Sequence, residues 1–309
     1  MLVTIFGGGG FLGRYVAQEL LARGLRVRVA ERNPGDAFRV RPLGGLGQTQ
    51  LMQADVRNAE SVARAVAGSD AVVNLVGVLT GDFEAINHRG AETIAAAAAR
   101  EDVDVLVHVS AIGADSASAS AYGRSKGQGE EAARAAFPKA TIVRPSIIFG
   151  PEDQFTNRFA NLIRMMPVVP VIRGATKFQP VYVVDVARAI AAAVAEPNAH
   201  AGKAYELGGP QVMSMADINR WLAQATGHDR LMIPVPDAVA GAMARLTGWL
   251  PGAPITSDQW KMLQKDNVVA PGAKGLAAFG IAPTPLAAVA DAWLVQYRRH
   301  GRFSDRLKA

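Results

Sequence analysis

No cysteine occurs in the 309 residues. Disulfides and thiolate metal ligands are therefore excluded, and thiols say nothing about redox compartment. The five histidines are scattered, without an H-x₃-H or H-E-x-x-H spacing, so the sequence argues against a metal site. No uninterrupted run of about 18 apolar residues is present, so no membrane-crossing helix is expected. Aromatic residues make up only 6% of the chain and none interleaves with a basic cluster, which argues against nucleic-acid binding. There is no convincing internal repeat. The first strand pattern begins at once, leaving no room for a signal peptide, and the expected location is the cytoplasm.

What is present is apolar: half of the residues are hydrophobic and 19% are charged, enough for one large core or two fused ones. The net charge is +6 and the isoelectric point near 9.8. An anionic partner fits that balance: a dinucleotide, lipid headgroups or an acidic protein surface. The basic residues are dispersed except for Arg298-Arg299-His300-Gly301-Arg302.

The most informative stretch is residues 3–14, Val-Thr-Ile-Phe-Gly-Gly-Gly-Gly-Phe-Leu-Gly-Arg. A β-branched and aromatic run stops at glycines, and an apolar helical pattern follows, so a buried strand turns tightly into a helix. Gly7, Gly10 and Gly13 stand three apart. In a dinucleotide turn the first permits the bend, the second lets a pyrophosphate approach the backbone, and the third lets helix lie on strand. Phe11, Leu12 and Arg14 then fall in the first helical turn, whose free N–H groups face the phosphates.

Strands are expected at 25–30, 51–55, 70–77, 103–110 and 140–144, with helices at 59–67, 87–100, 121–137 and 181–195. This alternation is that of βαβ units, so the fold class is α/β, a doubly wound parallel sheet of Rossmann type with a smaller C-terminal cap. The dinucleotide-binding part is placed at 1–150, with segments from about 180–210 returning to it. The proline-punctuated remainder, 151–309, is the cap.

Glu31 and Arg32 end the second strand. A carboxylate there accepts from a ribose 2′-OH, whereas an arginine pairs with a 2′-phosphate. With Arg14 as a second cation, two arginines against one glutamate favour NADP(H), and NAD(H) is the alternative. Asp55 and Val56 end the third strand, where the carboxylate could accept from the adenine amine. Leu75, Val76 and Gly77 lie at the C-terminal edge of the fourth, where ligands of open α/β sheets bind. Tyr122 and Lys126 are four apart and share a helix face. An ammonium beside a phenol would depress the phenol pKa, making it an acid/base for hydride transfer while the lysine holds the ribose.

These motifs, in this order, resemble the extended short-chain dehydrogenase/reductases over residues 2 to about 210. Residues 136–160, 179–187 and 255–260 are further similar to the dehydrogenase-like accessory subunit of respiratory complex I and its bacterial relatives. That resemblance implies firmly held NADPH and a structural or assembly role with little or no turnover. It also implies complex I subunits and the adjoining membrane surface as partners, on the cytoplasmic face of the inner membrane. Arg32 falls where that family has its phosphate-binding arginine, and Pro145, Ser146 and Ile147 fall among its cofactor contacts. One departure stands out. Catalytic members carry a serine or threonine to bond the substrate oxygen where this chain has Ile112. Ser110, or Ser116, Ser118 or Ser120, would have to substitute. The alternative function is an active reductase or epimerase on a sugar-nucleotide or other small carbonyl compound.

In residues 236–250, Val239, Met243, Leu246, Trp249 and Leu250 form one apolar stripe at helical spacing. It is expected to pack on the cap. The alternative is docking on a membrane or partner, aided by Arg245, Lys261, Lys265 and the terminal arginines.

Overall fold

The computed structural model describes residues 1–248, 250, 255–299 and 301. They fall into two compact units: Met1–Pro145 with Val183–Leu207 and Ala270–Ala282, and Ser146–Tyr182 with Gly208–Val269 and the described residues from Pro283 onward.

The first unit runs β1 (Leu2–Phe6), α1 (Phe11–Ala22), β2 (Arg26–Glu31), β3 (Thr49–Gln53), α2 (Ala59–Val66) and β4 (Ala71–Asn74). It continues with α3 (Arg89–Arg100), β5 (Val105–Val109), α4 (Ala121–Ala136) and β6 (Thr141–Pro145). The strand Ala204–Leu207 completes a seven-stranded sheet beside β6, in the order Ala204–Leu207, β6, β5, β4, β1, β2, β3. Every pairing is parallel. β4 and β5 are buried at every position, which a parallel sheet covered on both faces requires. Helix α1 packs with Val183–Ala195, while α3 packs with both α2 and α4. Three alanines of α3 (Ala95, Ala97 and Ala98) are buried in one cluster with Leu106 and Ile142. Small side chains bring that helix close to the sheet at little entropic cost. The order reverses around β1, between β2 and β4, and in open α/β sheets the ligand crevice lies at such a switch.

The doubly wound sheet is the one expected from the sequence. The third strand begins two residues earlier than expected, and a 3₁₀ segment at Pro34–Leu43 was not foreseen. Its N-cap Asn33 accepts from Gly35 N, and Pro34 opens the helical turn.

In the second unit, helices Thr156–Met165 and Met215–Thr226 enclose a core of Phe149, Ile163, Val169, Phe178, Ile218, Leu222, Trp293 and Leu294. Strands Val168–Ile172 and Leu231–Val235 form a two-stranded parallel ribbon. The helix expected over 236–250 spans Asp237–Thr247. Its buried face is not the expected stripe. Ala240 and Ala244 are buried, while Val239, Leu246 and Leu250 are 55%, 73% and 43% exposed. Trp249 lies outside the described residues. The helix turns a small face inward, where Gly241 lies against the Trp260 indole; a Cβ there would be 3.5 Å from its ring nitrogen, in ordinary contact. No helix among the described residues is long and apolar enough to cross a membrane.

Candidate dinucleotide site

Gly7 adopts φ +80°, a left-handed conformation that side chains rarely take. A Cβ there would also press on Leu75 and Val76 at 3.3–3.4 Å. The glycine thus brings the turn after β1 onto the strand edge that the sequence singled out. Gly10 N donates to Gly7 O at 3.2 Å. A Cβ on Gly13 would collide with Gly7 O and the Gly8 backbone. Gly10 caps α1 without a side-chain hydrogen bond, and the first turn holds no acidic residue. That helix end keeps its donors and its positive potential for an anion, so the turn fits a pyrophosphate.

Glu31 and Arg32 take different roles. Glu31 is half-buried, and its Oε1 accepts from Gly9 N at 2.7 Å, tying β2 to the glycine turn. Burial raises its pKa against the opposing Gly9 hydrogen bond. Arg32 is exposed. Asp55 is clasped by Arg57, with Nε donating to Oδ1 at 3.0 Å and a second bond of 2.6 Å to Oδ2. Arg57, and more weakly Arg32, hold its carboxyl below the usual range. The Arg57 clasp was not foreseen. Val56 is buried in the core against Gly90, so its side chain serves packing.

At the end of β4, Asn74 Oδ1 accepts from Val76 N at 3.0 Å, and Asn74 Nδ2 lies 3.0 Å from His108 Nδ1 on β5. Gly77 follows. A Cβ there would lie 3.6 Å from Lys126 Nζ and 3.7 Å from Asn87 Oδ1. Three residues far apart in sequence therefore meet at this edge.

Lys126 is 3% exposed, and its Nζ donates to Val109 O at 2.8 Å. Burial draws its pKa down to about 8, opposed by the Glu130 carboxylate. Glu130, a further turn along α4, makes a two-pronged pair with Arg144 of β6 at 2.9 and 2.6 Å. Arg144 also reaches Glu206 on the neighbouring strand at 3.6 Å. This triad pins α4 to the sheet edge. Tyr122 departs from the expected chemistry. Burial pushes its phenol up to about 12 instead of down. Desolvation is the cause, and the Lys126 ammonium is engaged by the Val109 carbonyl. Phe83 lies edge-on to the Tyr122 ring, with centroids 6.2 Å apart.

Asn87 escaped the sequence reading. It lies in a π-helical turn, Glu84–His88, donates to Ser125 Oγ at 3.1 Å and binds both backbone groups of Val78. Single π turns cluster at functional sites. The only sequence signal was a polar Asn-His-Arg entry to an alanine helix.

The loop after β5 is fixed by small contacts on α4. A Cβ on Gly127 would strike the Asp115–Ser116 backbone. Ser116 Oγ donates to Glu131, Ser118 Oγ accepts from Ser120 N, and Ser120 caps α4 by accepting from Gly123 N. Those three serines hold structure. Ile112 is 9% exposed, with its N–H on Pro145 O at 3.1 Å. Ser110 Oγ and His108 Nε2 are buried without a partner. Ser110 is therefore the serine whose hydroxyl is uncommitted. Ser146 and Ile147 fall in the second unit, where Ser146 Oγ donates to Asn267 Oδ1 at 2.7 Å and Ile147 O accepts from Val181 N. Among the described residues no cluster of His, Asp and Glu could hold a metal ion.

Residues 3–208 match the NAD dependent epimerase/dehydratase family. The chain belongs to that family. It is 35% identical to NADH dehydrogenase [ubiquinone] 1 alpha subcomplex subunit 9, mitochondrial, of Arabidopsis thaliana, over 97% of this chain and 79% of that protein. It is 31% identical to the NADH-ubiquinone oxidoreductase 40 kDa subunit, mitochondrial, of Neurospora crassa, over 97% of this chain and 80% of that one. Among solved structures, the NADPH-dependent quinone oxidoreductase QOR2 from Escherichia coli, complexed with NADPH, superposes with a TM-score of 0.75 at 20% identity, covering 94% and 99% of the two chains. That likeness concerns the fold. The glycine turn lies in the first unit, at the start of the stretch that matches this NAD-dependent family.

Proposed function

We propose that the protein is an accessory subunit of a complex I-type NADH dehydrogenase that holds NADP(H) firmly and turns it over slowly or not at all. One observation carries this reading. The glycine turn and the buried Lys126 are what a dinucleotide would use, whereas the family resemblance puts Ile112 at the substrate-oxygen donor position and Ser116, Ser118 and Ser120 are committed elsewhere. The identity to complex I subunits over nearly the whole chain supports the partner class.

In this reading the α1 N-terminus takes the pyrophosphate and Arg32 the 2′-phosphate. Glu31 serves the Gly9 turn, which favours the phosphorylated cofactor. Lys126 holds the nicotinamide ribose, its one carbonyl bond leaving two N–H groups for hydroxyls. The bound dinucleotide would supply hydride chemistry, and here its main effect is mechanical. A ligand at a thousandfold its Kd stabilises by about 4 kcal/mol. The protein would sit peripherally at the cytoplasmic face of the membrane carrying the complex.

The test is protein purified without added nucleotide. NADP(H) retained near one per chain, with complex I subunits co-purifying, is the expected result. An empty site of millimolar affinity would overturn it. A second reading, an active reductase or epimerase on a small carbonyl compound, is favoured by Tyr122 with Lys126 and by the uncommitted Ser110 hydroxyl. Turnover lost in Ser110→Ala would establish that reading.

A further inference from the structure

The ribbon of the second unit has two faces of the same chemistry. Val168 pairs with Leu231, Val169 with Met232, and Pro170 with Ile233. Val169 and Val171 are buried, as a core face should be. The opposite face should be polar if it were solvated. It presents Val168, Pro170, Leu231 and Ile233, with Leu231 63% exposed, and Met165 at the end of the preceding helix is 70% exposed. Contiguous exposed apolar surface of this kind marks an interaction site.

The surroundings specify what it meets. Arg164 is exposed beside Met165, and Arg230, next to Leu231, is fixed by donating to Ile163 O at 2.9 Å and Arg164 O at 3.3 Å. Two cations therefore rim the start of the ribbon. Among the described residues the second unit holds 11 Lys and Arg against 8 Asp and Glu, and the first 19 against 18. Of the net charge of the described residues, +3 belongs to the unit with the apolar face and +1 to the other. Pro170 and Pro234 each remove a backbone donor, which blunts pairing of the ribbon with a strand from another copy. Apolar insertion with a basic rim is the pattern of interfacial binding to anionic lipid.

We propose that the ribbon face docks on an anionic phospholipid surface, with Leu231 and Ile233 entering the acyl boundary and Arg164 and Arg230 at headgroup level. This rests on the reading of the protein as a peripheral membrane-complex subunit and names the surface by which it sits there. Full-length protein with its retained nucleotide is sedimented with vesicles of phosphatidylcholine plus phosphatidylglycerol, or of phosphatidylcholine alone. Binding should need phosphatidylglycerol, fall as salt rises, and weaken about tenfold or more in a Leu231→Ser/Ile233→Ser variant that keeps its nucleotide. Unaltered protein should show slowed amide exchange over 229–235 on vesicles, a readout independent of whether the variant folds. No binding at low salt, binding unchanged in the double variant, or loss only in Val239→Ser/Leu246→Ser would overturn the proposal. So would a concentration-dependent dimer dissolved by the double variant. Co-purification with complex I subunits without vesicle binding would remove the ribbon proposal and leave the subunit role standing. Vesicle binding without those subunits would do the reverse.

Discussion

Asn74 Nδ2 sits 3.0 Å from His108 Nδ1 in the middle of the sheet. Because Asn74 Oδ1 already accepts from Val76 N, the amide presents its NH₂ to the imidazole. His108 is thus neutral, accepting at Nδ1 and carrying its proton on Nε2. Burial, with the charge on Lys126, holds its pKa well below the ordinary histidine value. The pair shapes the strand end on which Gly7 and the dinucleotide turn rest.

Stability should therefore fall in mild acid. A histidine with a depressed folded pKa leaves the unfolded chain binding more protons below its ordinary value of about 6.5. The loss begins as pH drops through that value and grows towards the lower folded pKa. Thermal unfolding followed from about pH 7.5 to 5 should show the decline, and His108→Gln should flatten it. An unchanged pH profile in the variant would assign the decline to other groups.

Lys126 gives the opposite trend for ligand binding. With a pKa near 8 it is charged at neutral pH and loses its proton just above. NADP(H) affinity, measured by fluorescence titration, should weaken as pH rises through about 8. Glu130→Gln should move that midpoint down, because the carboxylate opposes the effect of burial. Lys126→Ala should bind weakly at every pH.

Arg32 is expected to set cofactor choice. It is exposed at the end of β2, while Glu31 beside it is engaged with Gly9 N. Arg32→Ala should weaken NADP(H) by about tenfold or more and leave NAD(H) nearly unchanged, since a charge-assisted hydrogen bond contributes about 1.5–3 kcal/mol. Equal losses for both cofactors would hand the role to Arg14 or Arg57.

Much of this site is written in local patterns. The glycine spacing, the apolar run of β4 and the i, i+4 spacing of Tyr122 and Lys126 each have a period that one strand or helix imposes. Pairings between separate elements, and the direction of a side chain within a loop, do not. Asn74 with His108, Glu130 with Arg144, and Asp55 with Arg57 depend on register or side-chain direction, and Asn87 on a π turn without local signature. The stripe over 236–250 failed for the same reason. Periodicity found the helix, but which face turns inward depends on what packs against it, and Ala240 and Ala244 are buried while Leu246 is exposed. The serines after β5 looked interchangeable until their bonds to Glu131 and to Gly123 N separated them from Ser110.

Ile112 offers the sharpest test of why chemistry should be slow. Its backbone is fixed by the bond from its N–H to Pro145 O, so a new side chain there starts from a defined position. Ile112→Ser would put a hydroxyl at the position where the family resemblance has its substrate-oxygen donor. A single oxyanion donor is worth about 10²–10³ in rate. Any trace reduction of a small carbonyl compound by NADPH should therefore rise by up to that factor. The replacement of a nearly buried isoleucine should cost about 2–4 kcal/mol of stability, so the comparison needs a temperature well below the unfolding midpoint. A rise in kcat with unchanged NADPH affinity would show that the missing donor limits turnover. No rise in a folded, NADPH-loaded variant would place the limit at Tyr122, whose pKa, raised to about 12, makes the phenol a poorer proton donor to the developing alkoxide.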